Sequence, residues 1–355
     1  MRADPAPARI DADVHLAPPD LATLEPYLTA HWRDYMREHG FKRPPGVAHS
    51  YPSKSPLVVG TPPRTTLEEI RTNVLNGASH AIAGCYFGVE SVRNPYMSGA
   101  LATAINSWLQ AEWLGKEERL FGNLTVPLHA TDLAVQEIRR AGRERRFVQL
   151  AMPVRSWEPY GNQLYWPIYE AALDAGLALG IHFGGLTGMP PTPLGHLDST
   201  FEEHAAAPQL FEAQLLSLVA EGVFDRYPDL RVCLIESGVT WLSPWLWRMD
   251  TEWKAARREI PWVRRRPTEY VRKHVRLTIQ PFDAPEADAE VRQILEHLGS
   301  DDMLMYSSDY PHEHASDTGP LLALLSPAQR DRVLRGNAWD FYGLGDRIGT
   351  AATAS

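Results

Sequence analysis

Short runs of β-branched and apolar residues alternate along the chain with longer segments of helical period. Eight runs have strand character: residues 9–15, 80–86, 120–127, 147–153, 177–183, 231–237, 275–280 and 303–309. Between them, apolar positions recur at spacings of three and four, which predicts helices over 97–114, 131–141, 164–175, 209–221, 244–257 and 287–298. A last helix is expected over 326–342, with Ser326 as N-cap and Pro327 at the first helical position, where a missing N–H costs nothing. Strands that each lead into a helix favour a parallel sheet. Eight such units close into a (β/α)8 TIM barrel of the α/β class.

A chain of 355 residues fits one such barrel with insertions. No linker or shift in composition divides it, so a single domain over 1–355 is expected. Two connections are longer than a barrel requires, the segments 43–64 after the first strand and 184–208 after the fifth, both rich in Pro and Gly. Barrel active sites are built from the loops at the C-terminal ends of the strands, which makes these insertions candidate lids or substrate walls. Contacts within a dimer are the alternative use.

Composition narrows the classes of function. Hydrophobic residues make up 44% and charged residues 22% of the chain, an ordinary globular balance. No stretch approaches the roughly 20 apolar residues that span a bilayer, and the N-terminal run lacks the apolar core of a secretory leader. A cytoplasmic location follows as the expectation. The net charge of -9 opposes binding to nucleic acid or an anionic membrane, since both require a positive field. The basic runs at 143–146 and 264–266 read as solvated helix ends or loops. Cys85 and Cys233 are the only cysteines, a count that excludes a thiolate metal cluster; each lies in an apolar run, which fits buried reduced thiols. Tryptophan-bearing helices over 102–114 and 241–253 offer apolar faces that would suit homo- or hetero-oligomerisation or simply cover the barrel.

Chemistry concentrates where the strands leave the barrel. The first strand ends in Asp13-Val14-His15, an alternating pair that a period of two points to one face. The fifth ends in His182, the sixth in Glu236 and the eighth in Asp309, with His312 and His314 three and five residues further on. Any one of these residues alone would be ordinary, as a structural histidine or a helix cap. Several carboxylates converging unpaired in one place would be strongly destabilising, whereas a divalent cation neutralises them together. The expected ligands are therefore Asp13, His15, His182, Glu236, Asp309 and His312, around one or two ions of zinc, manganese or iron. Gln280, Trp241, His204 and His314 are expected to orient substrate or to support the ligands from behind. No phosphate loop, dinucleotide fingerprint, nucleophile elbow or His-Glu-x-x-His helix is present.

The motifs Asp11-Ala12-Asp13-Val14-His15, Gly180-Ile181-His182, Ile235-Glu236-Ser237-Gly238 and Ser307-Ser308-Asp309-Tyr310-Pro311-His312 resemble those of the amidohydrolase-related family. This is the branch of the amidohydrolase superfamily that contains aminocarboxymuconate-semialdehyde and resorcylate-type decarboxylases. The resemblance implies ligand roles for His15, His182 and Asp309, with Asp309 also moving a proton. Asp13 stands where the family usually has the first His of a His-x-His pair, and Glu236 replaces a histidine of the sixth strand. The fourth strand ends in Met152-Pro153-Val154-Arg155, without the bridging lysine or glutamate of two-metal hydrolytic relatives. Two imidazoles exchanged for carboxylates harden the site and shift its preference from zinc toward manganese or iron.

The resemblance implies a metal-dependent enzyme acting on a small organic acid, amide or lactone, by hydrolysis or by decarboxylation without redox change. Asp309 and His312 are the expected catalytic pair, and a small molecule the expected partner. The alternatives are a non-haem iron or di-iron hydroxylase on the same barrel, a reaction represented in the family, and a non-catalytic partner subunit.

Overall fold

The computed structural model describes residues 9–42, 44, 65–185, 195, 199–314 and 318–348. Its strands are β1 (Arg9–His15), β2 (Ala78–Gly84), β3 (Leu120–Leu124), β4 (Phe147–Arg155), β5 (Ala178–Gly185), β6 (Val232–Ile235), β7 (Val275–Thr278) and β8 (Leu304–Met305). All neighbours in the order β1 to β8 pair in parallel. The sheet closes on itself through backbone bonds from Ala12 N to Tyr306 O (2.9 Å), His15 N to Tyr310 O (2.7 Å) and Asp309 N to Asp13 O (3.1 Å). The expected (β/α)8 barrel is therefore the fold.

Both faces of each strand are largely covered, one by the barrel interior and the other by the helices, so most strand positions are apolar. Every residue of β3 and β4 is buried. The larger apolar cluster joins Leu150, Leu179 and Leu234 to Leu101, Ile138 and Leu215 of the outer helices Pro95–Leu109, Thr131–Ala141 and Thr200–Ala220. A second cluster gathers Ile10, Ile82, Phe121, Val148 and Cys233 with Phe341 and Tyr342 of the C-terminal helix Asn337–Tyr342. Cys85 and Cys233 are buried free thiols, and burial pushes both up to about 12.

The helices follow the sequence pattern with instructive departures. Thr131–Ala141 falls where expected, whereas the helix that begins at Pro95 passes at Gln110 into a π-helical turn ending at Leu114. Ser326 does cap Pro327–Asp331, with Gln329 completing a reciprocal capping box. The expected helix continues without a gap to Tyr342, with a π-helical turn, Arg332–Gly336, set into it. The second insertion is shorter than its composition suggested. Ser199 accepts from the amide of Glu202 and starts the helix Thr200–Ala220, which runs through Pro208. The first insertion, 43–64, lies outside the described residues apart from Pro44. Helices Ala30–Glu38, Leu67–Asn73 and Pro267–His274 carried no expectation. No helix among the described residues is long and apolar enough to cross a membrane.

Candidate metal centre

The C-terminal mouth of the barrel gathers four histidines and three carboxylates. Nε2 of His15 lies 2.9 Å from Asp309 Oδ1, 3.2 Å from Glu236 Oε1 and 3.6 Å from Asp13 Oδ2. Nε2 of His182 lies 3.2 Å from the same Glu236 oxygen and 3.3 Å from Nε2 of His15. His312 Nδ1 approaches Asp309 Oδ1 at 2.9 Å and Glu236 Oε1 at 3.9 Å. His314 Nε2 takes the other oxygen of Asp309 at 2.6 Å.

Local backbone geometry aims these groups. β6 ends at Ile235 and β8 at Met305, so neither Glu236 nor Asp309 continues a strand. Both adopt the left-handed region, with φ of 58° and 56°, a conformation that a side-chain-bearing residue occupies at a cost. Glu236 is held there by the hydrogen bond that its backbone N–H donates to Thr278 Oγ1 (3.0 Å). The turn beyond it is pinned by Asp283, which accepts from Val239 N and from Thr240 Oγ1, each at 2.9 Å. Asp11 performs a similar service at the seam of the barrel. Its Oδ1 accepts from Ser308 N (2.9 Å) and Asp13 N (3.4 Å), while burial pushes its carboxyl up to about 7.

His182 presents its Nε2 to the cluster because its Nδ1 donates to the carbonyl of Phe183. Burial opposes charge throughout this site. It raises the Asp13 carboxyl despite the attraction of His15 and His182. At Asp309 burial is outweighed by hydrogen bonds from His15, His312 and His314, which hold the carboxyl far below the usual range. The same carboxylates lift His15 and His182 above an ordinary imidazole against the cost of burial.

This donor set fits a divalent cation. Both carboxylate oxygens of Asp13 are buried with no hydrogen-bond partner, an arrangement that costs several kcal/mol if nothing neutralises it, by the order of magnitude expected for buried charge. Two overlapping sets, Asp13 with His15, His182 and Glu236, and His15 with Glu236, Asp309 and His312, each place their ligand atoms within 4.8 Å of one another. Opposite ligands around one ion with bonds of about 2.0–2.2 Å stand up to about 4.4 Å apart. Six of the ten anticipated site residues are thus brought together, and His314 backs Asp309 from outside both sets. Gln280 is buried two residues past the end of β7, its backbone N–H donating to Ser307 Oγ. Trp241 bonds its indole N–H to Ser237 O at 2.8 Å. His204 belongs to neither ligand set; it is exposed on the helix Thr200–Ala220, its ring 5.8 Å from that of Phe183.

Two participants were not among the expected site residues. Tyr86 lies two residues past the end of β2, its ring centroid 3.9 Å from that of His182 and 5.2 Å from that of His15. From sequence it could line a pocket, but its apolar neighbours fit core packing equally well. Asp11 belongs to the Asp-Ala-Asp-Val-His motif, yet nothing in the spacing distinguishes a residue that braces a loop from one that ligates.

A parallel barrel whose mouth carries clustered imidazoles and carboxylates has the layout of a metal-dependent barrel enzyme. The chain belongs to the amidohydrolase family, whose model matches residues 10–344. It is 26% identical over 275 residues to the gamma-resorcylate decarboxylase of Polaromonas sp. (strain JS666), covering 72% of this chain and 80% of the relative. Among solved structures it is similar to 5-carboxyvanillate decarboxylase from Sphingomonas paucimobilis, with a TM-score of 0.67 and 20% identity over 95% of this chain and 99% of the other. It also resembles dihydroxybenzoic acid decarboxylase from Polaromonas sp. JS666, solved with manganese and 2-nitroresorcinol, at a TM-score of 0.67 and 18% identity over 95% and 97% of the two chains.

Proposed function

We propose that this protein is a metal-dependent carboxy-lyase that removes CO2, without redox change, from a small hydroxylated aromatic acid. The observation that carries the proposal is the orphaned, buried Asp13 carboxylate, whose Oδ2 lies 3.6 Å and 4.0 Å from the Nε2 atoms of His15 and His182, a set that makes physical sense around a hard or borderline cation. Asp13, His15, His182, Glu236 and Asp309 would hold the ion, and manganese, present in the dihydroxybenzoic acid decarboxylase structure, suits their carboxylate-rich chemistry. When bound, the ion supplies charge to fix and polarise an oxygen-bearing substrate.

The remaining work falls to this chain. Loss of CO2 from an aromatic acid breaks the bond between ring and carboxyl carbon, and the ring carbon gains a proton in exchange. The proton comes from the imidazoles of His312 and His314, hydrogen-bonded to the two oxygens of Asp309, and the Asp309 carboxylate is the group that passes it to the ring carbon. His312, one third exposed, connects that proton store to solvent. The test is an assay of manganese-loaded protein with gamma-resorcylate and 5-carboxyvanillate in D2O. CO2 release, with one deuterium on the ring carbon it left, supports the proposal. No release from either acid by protein shown to be fully loaded overturns it for this substrate class.

A second reading is an iron hydroxylase, favoured by the place of the Glu236 carboxylate in both ligand sets, where it could bridge two ions. Oxygen consumption by the iron-loaded protein would bring it forward.

A further inference from the structure

We propose that a hydrogen-bonded column through the interior of the barrel, Tyr342 to Gln149 to Asn123 to Tyr86, sets the position of the His182 imidazole, so that Tyr86 is a positioning residue of the site. The column begins in the C-terminal helix and ends beneath the mouth. Tyr342 Oη donates to Gln149 Oε1 (2.9 Å), Gln149 Nε2 to Asn123 Oδ1 (2.7 Å), and Asn123 Nδ2 to Tyr86 Oη (3.1 Å). Tyr342, Gln149 and Asn123 are at most 2% exposed. The Tyr86 ring then lies against His182, inclined by 31° at a centroid separation of 3.9 Å.

The backbone is shaped around this column. Between the pairs Gly122–Phe147 and Asn123–Gln149 the register of β3 and β4 slips by one residue, which brings the Gln149 amide to Asn123 although its neighbour Val148 belongs to the inner apolar cluster. Two glycines leave room for it. A Cβ at Gly84 would stand 2.7 Å from Asn123 Nδ2 and 2.9 Å from Tyr86 Cε2, and one at Gly180 would stand 2.8 Å from Gln149 Cδ. Apolar side chains would fill a barrel interior at less cost, since buried amides must all be paired. What the polar column adds is direction: the two amides must be oriented together to satisfy each other and both phenol hydroxyls, and the Asn123 end of the pair holds the Tyr86 hydroxyl and hence its ring. Two carboxamides do not pass protons along, so the column positions and does not relay.

The consequence for metal binding rests on the proposed metal centre; the column itself does not. The experiment uses full-length protein labelled with 15N-histidine, as wild type, Tyr342→Phe, Tyr86→Phe and the double variant, with Tyr169→Phe as a control. Tyr169 buries a hydroxyl bonded to Tyr160 O, outside the column. In metal-free protein, the ring signals of His182, assigned with His182→Gln, are expected to move in Tyr342→Phe and Tyr86→Phe and to stay in place in Tyr169→Phe. The displacement in the double variant is expected to match that of Tyr86→Phe alone. Unmoved His182 signals in Tyr342→Phe overturn the column. A manganese titration of the same proteins decides the other question: weaker binding by about tenfold in the column variants follows if support from behind a ligand acts here as it does elsewhere. Wild-type protein that binds no metal sinks the metal centre and leaves the imidazole result to judge the column.

Discussion

Nε2 of His314 lies 2.6 Å from Oδ2 of Asp309, while His15 and His312 share the opposite oxygen. His314 therefore holds the carboxylate from outside the cluster and leaves Oδ1 directed inward. Replacing it by alanine is expected to weaken metal binding by about 10–100-fold, the usual cost of losing a group that orients a ligand. His314→Gln, whose amide can still donate, is expected to recover part of the loss. A competition titration against a chelator measures both, and equal affinity in all three proteins would show that Asp309 needs no such brace.

Metal removal should lower thermal stability. The buried carboxylates of Asp13, Glu236 and Asp309 repel one another, and a cation that binds only the folded chain adds about 2.7 kcal/mol at a concentration of one hundred times its dissociation constant. Scanning fluorimetry of stripped protein with manganese, zinc or iron(II) is expected to show a rise of several degrees that Asp13→Asn largely abolishes. No rise with any of the three would contradict a metal centre at this mouth.

A pH dependence of stability is expected from Glu90, in the short 3-10 turn Val89–Ser91 after β2. Glu90 lines a cavity of about 10 Å3 together with Leu128, Trp157 and Tyr160, and burial pushes its carboxyl up to about 7. Because the folded state holds the proton more tightly, the stabilisation is full below the ordinary glutamate range near 4.5 and is lost as pH rises through about 7. Glu90→Gln should remove that decline and gain up to the order of 3 kcal/mol at pH 8, since each tenfold difference in proton affinity between the folded and unfolded chain is worth about 1.4 kcal/mol. Parallel unfolding curves of the two proteins from pH 5 to 8 would refute the assignment.

Asp283→Ala is expected to act on the centre without touching it. The carboxylate pins the turn that follows Glu236 and crowds Gly238, whose φ is 69°. Loss of the two bonds should cost about 1 kcal/mol, since the carboxylate is exposed, and loosen Glu236. Denaturant unfolding measures the first effect and metal affinity the second; a fall in stability with metal affinity untouched would confine Asp283 to a structural role.

Sequence pattern located the barrel and the mouth because strand and helix periods are local and recur eight times. It located Asp13, His15 and His182 by the same logic, since each lies on a strand. Glu236 and Asp309 were found as residues at strand ends, yet their aim comes from left-handed backbone just beyond β6 and β8, which no period of two describes. The expected strands 231–237 and 303–309 were accordingly too long. Residues that brace the cluster were harder to see, because Asp11, Tyr86, Asn123 and Gln149 meet their partners only through the closed barrel. Asn123, one residue before the end of a buried strand, and Gln149, deep in another, are themselves a legible anomaly: a buried amide demands a partner, although spacing alone cannot name it.

The seam between β8 and β1 gives the cluster a mechanical meaning. The eighth strand spans only Leu304–Met305, and three backbone bonds carry the closure onto Ala12, Asp13 and His15. Asp13 and His15 lie on one lip of that joint and Asp309 on the other. An ion gripped by both lips is a rivet through the point where the sheet meets itself, and its arrival should slow hydrogen exchange at the amides of Ala12, His15 and Asp309 more than at those of β4 and β5 across the barrel.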